Sequence, residues 1–179
     1  MIITISGMPG SGKSTVGKLL AAKLGYRFYS MGDLRGKMAT ERGMTIDELN
    51  AVGEREGWTD RDVDEYQKKL GETEDNFVFD GLISFHFIPQ AFKVFLDIDP
   101  RVAAARIHAD ARPDEETVRT VEERQAQIAK RIASNESRYQ KHYGVTFRDQ
   151  SKFDLVIDTS TFAAPTITVE KILAAMGKK

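Results

Sequence analysis

The chain has 179 residues, 41% of them hydrophobic and 30% charged, which suits one folded domain with a sizeable core and excludes a disordered, collagen-like or coiled-coil chain. Its 26 Lys and Arg balance 27 Asp and Glu to a formal net charge of −1, so no global basic field marks a nucleic-acid binder, and a bound anion must be held by a local site. With no cysteine, no apolar run near the roughly 18 residues of a membrane span and no signal-peptide pattern at its start, the chain excludes disulfide and thiolate chemistry, and a cytoplasmic protein without a membrane partner is expected.

The β-branched run Ile2-Ile3-Thr4-Ile5 opens the chain as a buried parallel strand. Glycines follow at 7, 10 and 12. Then Val16, Leu19, Leu20 and Leu24 recur at helical spacing, with Gly25 where a C-terminal cap belongs. Arg27 to Ser30 reads as a second short strand. From Met31 to about Gly71 the pattern is helical and charged, with a capping box at Thr45 and Glu48 and breaks at Gly43, Gly53 and Gly57, so two or three short helices form a lobe.

Strands return at Phe77–Asp80 and Lys93–Asp97, the second followed by Asp99-Pro100, a helix cap and first helical position. That helix is expected to reach about Ala109. After a break at 111–114, a long helix is predicted from roughly Glu115 to Tyr143, then a fifth strand at Asp154–Asp158 and a last helix from about Thr166 to Met176. Strands alternating with helices predict an α/β fold: a five-stranded parallel sheet with right-handed crossovers, flanked by helices.

Gly7-x-x-x-x-Gly12-Lys13-Ser14 matches the P-loop pattern and sits between strand and helix, as that motif requires. Its glycines let backbone N–H groups turn inward at a polyphosphate, the helix N-terminus adds partial positive charge, and Lys13 reaches the β- and γ-phosphates. Gly7, Pro9, Gly10, Ser11, Gly12, Lys13, Ser14 and Thr15 are therefore the expected ATP-binding loop. Ser14 is placed to ligate Mg²⁺, a hard cation that also wants a carboxylate from a neighbouring strand end. Asp80 is the first candidate; Asp97 and Asp99 are alternatives, though a capping role suffices for Asp99. Arg124, Arg131 and Arg138 are spaced by seven, so on a helix they drift only about 20° per step and form one line, at the margin of the face carrying Val121, Ile128, Ile132 and Tyr139. Such a row beside a polyphosphate site suits phosphoryl transfer, where neutralising spreading negative charge does most of the catalysis.

On these features the chain resembles nucleoside monophosphate kinases, most closely the short archaeal-type cytidylate kinases. The resemblance runs through the P-loop, Ser30-Met31-Gly32-Asp33-Leu34-Arg35, Arg42-Gly43-Met44, Asn50, Val63-Asp64 with Gln67, Arg131 with Ser134, Arg138-Tyr139, Tyr143-Gly144 and Asp154 to Ser160. It implies one P-loop kinase domain over 1–179, with a monophosphate-binding lobe at 31–71 and a short lid at 107–117. It implies ATP and Mg²⁺, small nucleotides as partners and a monomer. Ser30 and Arg35 would hold the acceptor phosphate, with Gly81 beside them, and Asp64 and Gln67 would face the base. Arg106, Thr159 and Ser160 would border the ATP, and Lys13, Arg124, Arg131 and Arg138 would be catalytic.

The chain departs from the family pattern where Leu82 follows Asp80-Gly81 in place of an arginine that contacts the acceptor phosphate. Arg61, Lys37 or His86 are candidates to replace that cation. The aromatic stretch Ile83 to Pro89 is either a base-stacking wall or core packing. In the lid Asp110 replaces a basic residue, with Arg112 as its substitute, and Asn135 stands where an acid is common. The expected activity is ATP-dependent phosphorylation of CMP or dCMP, with a kinase for AMP, UMP or another small phosphate, or a non-catalytic nucleotide-binding module, as alternatives; Lys13, Arg35, Arg106, Arg131 and Arg138 are expected to converge on one cleft, and Asp60, Asp62, Asp64 and Glu65 to gather in the lobe.

Overall fold

The structure is a computed structural model that describes residues 1–56, 58–110, 118–162 and 164–177, with the side chains of residues 54, 58, 60 and 62 outside that description. Strands β1 (Ile2–Gly7), β2 (Arg27–Ser30), β3 (Phe77–Asp80), β4 (Phe92–Asp97) and β5 (Leu155–Asp158) form one sheet. Its order is β2-β3-β1-β4-β5 and every pairing is parallel. All five strands therefore end on the same edge, where Gly7 pairs with Leu96, Ser30 with Asp80 and Asp97 with Asp158. A ligand crevice in an open parallel sheet lies outside that edge.

Period-2 alternation sends neighbouring side chains to opposite layers. Val78, Val94 and Leu96 face a cluster with Val16 and Leu20 of α1 (Lys13–Leu24) and Ile172 of α8 (Pro165–Met176). Phe77 and Phe79 face the other way, onto Met31, Val63, Leu70 and Ile88. Phe95 meets Phe85, Tyr139 and Phe147 in a third cluster. The central strand β1 is buried along its whole length, as its unbroken β-branched run predicts.

The predicted lobe consists of three helices, α2 (Met31–Glu41), α3 (Ile46–Arg55) and α4 (Trp58–Thr73). The capping box is present: Thr45 Oγ accepts from the Glu48 N–H at 3.2 Å, and the Glu48 carboxylate accepts from the Thr45 N–H at 2.7 Å. Gly43, with φ of 67°, separates α2 from α3, but Gly53 does not break the chain. It lies within α3 because two elements approach it there: a Cβ would stand 2.5 Å from Thr59 Oγ1 and 3.2 Å from Arg138 Cδ.

Other elements differ from the expected pattern. The short α5 (Ser84–Phe87) was not anticipated, and it buries Ile83, Phe85 and Ile88, which decides the aromatic stretch in favour of core packing. Helix α6 (Pro100–Ala109) starts as expected, with Asp99 Oδ1 accepting from the N–H groups of Arg101 and Val102. Helix α7 (Val121–Tyr143) begins six residues later than its periodicity suggests, because a second capping box, Thr120 with Glu123, sets its start. Asp154 is not in the fifth strand; its carboxylate accepts from the Lys93 N–H at 2.8 Å. Residues 111–117 of the predicted lid, Arg112 included, lie outside the described residues. Among the described residues no helix is long and apolar enough to cross a membrane.

At Gly7 a neighbouring strand leaves no room for a side chain. The φ of Gly7 is 143°, and a Cβ there would stand 2.1 Å from the Leu96 carbonyl oxygen, which the β1–β4 pairing holds in place. Gly7→Ala is expected to cost about 3 kcal/mol, read as a fall of roughly 6–12 °C in Tm by thermal denaturation. A Tm within about 2 °C of wild type would show that the two strands can part at low cost.

Candidate active site

The loop from Met8 to Gly12 joins the C-terminal end of β1 to the N-terminus of α1. Gly10 and Gly12 take left-handed φ values of 79° and 87°, and Gly12 caps α1 with no side-chain hydrogen bond to the helix start among the described residues. The first N–H groups of α1 have no intrahelical partner by helix geometry, so loop and helix end together offer donors to an anion. Lys13 Nζ donates to the Met8 carbonyl oxygen at 2.9 Å, folding its charge over the loop. Ser14 Oγ donates to Asp80 Oδ2, which places a hydroxyl and a carboxylate side by side at the end of β3. This donor set of hard oxygens fits Mg²⁺. Asp97 and Asp99 are occupied elsewhere: Asp97 accepts from the Ile98 N–H and Gln150, and Asp99 caps α6.

A cavity of about 380 Å³ opens beside this loop. On the loop side Pro9, Gly10, Gly12, Lys13, Ser14 and Thr15 line it, with Asp80 and Gly81 below. On the lobe side it meets Arg35, Ile46 and Asn50, and on the α7 side Arg131, Asn135 and Tyr139. Arg106 and Asp110 close the remaining edge. Four of the five predicted cations, Lys13, Arg35, Arg106 and Arg131, thus share one wall-to-wall space.

The fifth, Arg138, stands behind the wall. It is 1% exposed and donates from Nη1 to Asn50 Oδ1 at 2.9 Å and from Nη2 to Asn135 Oδ1 at 3.0 Å. Arg35, 9% exposed, donates from Nη2 to the same Asn50 oxygen at 3.0 Å and from Nη1 to the Thr59 carbonyl at 3.0 Å. Arg124 is also buried, donating to Gln127, which in turn donates to Asp47 of α3 at 3.3 Å. The seven-residue line is real, but two of its three arginines lie inside the buried face instead of at its margin. Arg124 is not part of the cavity lining.

Other expected residues lie off the cavity. Asp64 and Gln67 belong to a buried chain in which Ser84 Oγ donates to Gln67 Oε1 at 2.6 Å, Gln67 Nε2 donates to Asp64 Oδ1 at 3.2 Å, and the Tyr143 hydroxyl donates to Asp64 Oδ2. Ser30 caps α2, accepting from the Asp33 N–H at 3.2 Å. Arg61 is exposed on α4, and Lys37 is exposed beside Glu41. His86 packs against the rings of Phe87 and Tyr143, and partial burial pushes its imidazole below the ordinary histidine range.

Around Arg106 the loop after β5 is tied to the P-loop. Arg106 Nη2 donates to the Thr159 carbonyl at 2.9 Å, while Thr159 Oγ1 donates to the carbonyls of Ser11 at 3.2 Å and Asp97 at 3.0 Å. Ser160 bonds Asp158, and that hydrogen bond holds the Asp158 carboxyl below its usual range. Ser11 and Gly7 underlie the loop without lining the cavity, and Thr159 and Ser160 form the shelf behind Arg106. Asn50 was named in the sequence only as part of the family resemblance; its capping-box distance from Thr45, on an apolar-faced helix, is the signal that could have placed it inward.

The model of the cytidylate kinase-like family matches residues 2–161. A cytidylate kinase of Archaeoglobus fulgidus is 37% identical over 180 residues, covering 100% of this chain and 96% of that protein. An S-adenosylmethionine-dependent nucleotide dehydratase of Lacinutrix mariniflava is 36% identical over 163 residues, covering 90% of this chain and 33% of that protein. Among solved structures, a shikimate kinase from Bacteroides thetaiotaomicron shares the fold, with a TM-score of 0.66 and 17% identity over 99% of this chain and 98% of its own.

Proposed function

Because the chain belongs to the cytidylate kinase-like family and is a nucleoside monophosphate kinase, we propose that it transfers the γ-phosphate of ATP to CMP or dCMP. The observation that carries this reading is one cavity lined by the P-loop at one end and by Arg35, Arg131 and Asn50 at the other. A donor polyphosphate on the loop and an acceptor phosphate at Arg35 then face each other across Arg131. The helices 31–73 act as the acceptor lobe.

The acceptor phosphate oxygen is itself the nucleophile: it bonds to the γ-phosphorus as the bond to the β,γ-bridging oxygen breaks, and ADP leaves. No enzyme side chain is covalently modified. Lys13 exchanges its Met8 carbonyl for the β- and γ-phosphate oxygens, Arg131 meets the charge that spreads over the transferring group, and Arg35 orients the acceptor. Ser14 and Asp80 would hold Mg²⁺, which would supply positive charge to offset the negative charge of the phosphates. Arg106, fixed by the Thr159 carbonyl, borders the donor nucleotide.

A coupled assay of ADP formation from ATP with CMP, dCMP, UMP, AMP and GMP tests this directly. CMP or dCMP is expected to give the highest kcat/KM, and failure of all five to accept phosphate overturns the reading. Leu82 favours a second reading, because it lines the cavity beside Gly81 with an apolar side chain where this family carries a cation for the acceptor phosphate. On that reading a different small phosphate acceptor ranks above both cytidine nucleotides in the same assay.

A further inference from the structure

We infer that the Thr159 hydroxyl is a positioning group for the donor polyphosphate: from behind the loop it fixes the peptide between Ser11 and Gly12, and so the direction of the Gly12 N–H; this rests on the reading of the loop as the holder of the polyphosphate of ATP. Thr159 follows β5 and is 3% exposed, behind the loop and off the cavity that Gly12 lines. Its Oγ1 donates to the Ser11 carbonyl at 3.2 Å, from 148 residues away in the sequence. A trans peptide is planar, with its C=O and N–H pointing in opposite directions. A donor that takes the Ser11 carbonyl from the buried side therefore turns the Gly12 N–H of the same peptide away from that side, toward the space that Gly12 borders.

The loop needs such an outside contact. Gly10 and Gly12 both have positive φ, and glycine adopts either sign of φ at little cost, so the peptide before Gly12 can rotate unless something else holds it. Ser11 is 2% exposed and its own hydroxyl makes no hydrogen bond among the described residues, so residue 11 is held through its main chain: its N–H donates to the Met8 carbonyl at 3.2 Å, and its carbonyl accepts from Thr159. Thr159 is itself well anchored. Its N–H donates to the Asp97 carbonyl at 2.9 Å at the end of β4, and its carbonyl accepts from Arg106 Nη2 at 2.9 Å. The hydroxyl also reaches the Asp97 carbonyl at 3.0 Å, and one proton serves both carbonyls. Because Asp97 keeps the Thr159 N–H, loss of the hydroxyl falls on the Ser11 carbonyl.

Thr159→Val removes the hydroxyl, keeps the side-chain shape, and leaves the main-chain contacts to Asp97 and Arg106 in place. Thr159→Ser keeps the hydroxyl and loses a methyl group. Wild type and both variants are compared by calorimetric titration with ATP in the absence of acceptor and by KM for ATP and for CMP, with thermal melts showing that each is folded at the assay temperature. The expected result is a loss of ATP affinity of about tenfold in Thr159→Val with the CMP KM within roughly threefold of wild type, and ATP affinity within roughly threefold of wild type in Thr159→Ser. A role in packing alone would favour Val, which fills the space of Thr, over Ser, which leaves part of it empty. ATP affinity in Thr159→Val within about twofold of wild type, a Thr159→Ser as weak as Thr159→Val, or equal losses for ATP and CMP overturns the inference.

Should Thr159→Val not fold, Thr159→Ala takes its place, since Ala and Ser differ by the hydroxyl alone. It is expected to bind ATP about tenfold more weakly than Thr159→Ser, and affinities of the two within about twofold overturn the inference. A wild-type protein that binds no ATP in the titration overturns the functional reading and this inference with it. Wild-type ATP binding combined with an indifferent Thr159→Val overturns only the inference.

Discussion

Lys13→Ala is expected to lower kcat for CMP phosphorylation by a factor of about 10³ or more while shifting Tm by no more than about 2 °C. Both halves follow from where the side chain sits. Lys13 is half-buried at the first position of α1, and its ammonium donates to the Met8 carbonyl at the cavity edge, so truncation leaves groups that water can reach. On the proposed mechanism its charge matters most as negative charge moves onto the β,γ-bridging oxygen, so the loss appears in kcat more than in KM. A factor of 10³ corresponds to about 4 kcal/mol of transition-state stabilisation, within reach of one fixed cation in a site that excludes water. Steady-state kinetics and a thermal melt on the same preparation check it. A kcat within tenfold of wild type would remove the loop lysine from the mechanism.

The parts of this architecture that local pattern encodes were legible. The β-branched run of β1, the glycines of the loop, the cap at Asp99 and the box at Thr45 each act within a few residues, and each is where its pattern puts it. The start of α7 shows how local signals compete. Helical periodicity runs through residues 115–120, while the Thr120–Glu123 pair that sets the boundary has the same spacing as the Thr45–Glu48 pair read without difficulty.

The candidate site was harder to read for a different reason. Seven-residue spacing correctly aligns Arg124, Arg131 and Arg138, but arginine counts as a surface residue in any hydrophobic pattern. Burial of Arg138 depends on Asn50, 88 residues away, and no local pattern carries that information. Asp64 and Gln67 show the converse. They were expected to face a base, and they lie in a buried chain because Ser84 and Tyr143 arrive from α5 and α7.

That difference between Arg131 and Arg138 leads to opposite outcomes for the same substitution. Arg131→Met is expected to lower kcat by about 10² to 10³ with a Tm within roughly 3 °C of wild type, since it is half-buried and lines the cavity. Arg138→Met is expected to destabilise the fold by about 3 kcal/mol, a Tm fall of roughly 6–12 °C, and to reduce activity as well. Asn135 Oδ1 loses its donor in a buried position, the cation stacked 5.4 Å over the Tyr139 ring is removed, and Asn50 keeps only its Arg35 contact of the pair it bridges. With that bridge gone, α3 is no longer registered to α7 through Asn50, so KM for CMP rises in Arg138→Met while the ATP KM stays near wild type. In Arg131→Met the change falls on kcat. Thermal melts and separate KM determinations for the two substrates distinguish these patterns. Equal Tm values for the two variants would mean that Arg138 contributes no more to the fold than the cavity-facing arginine seven residues before it.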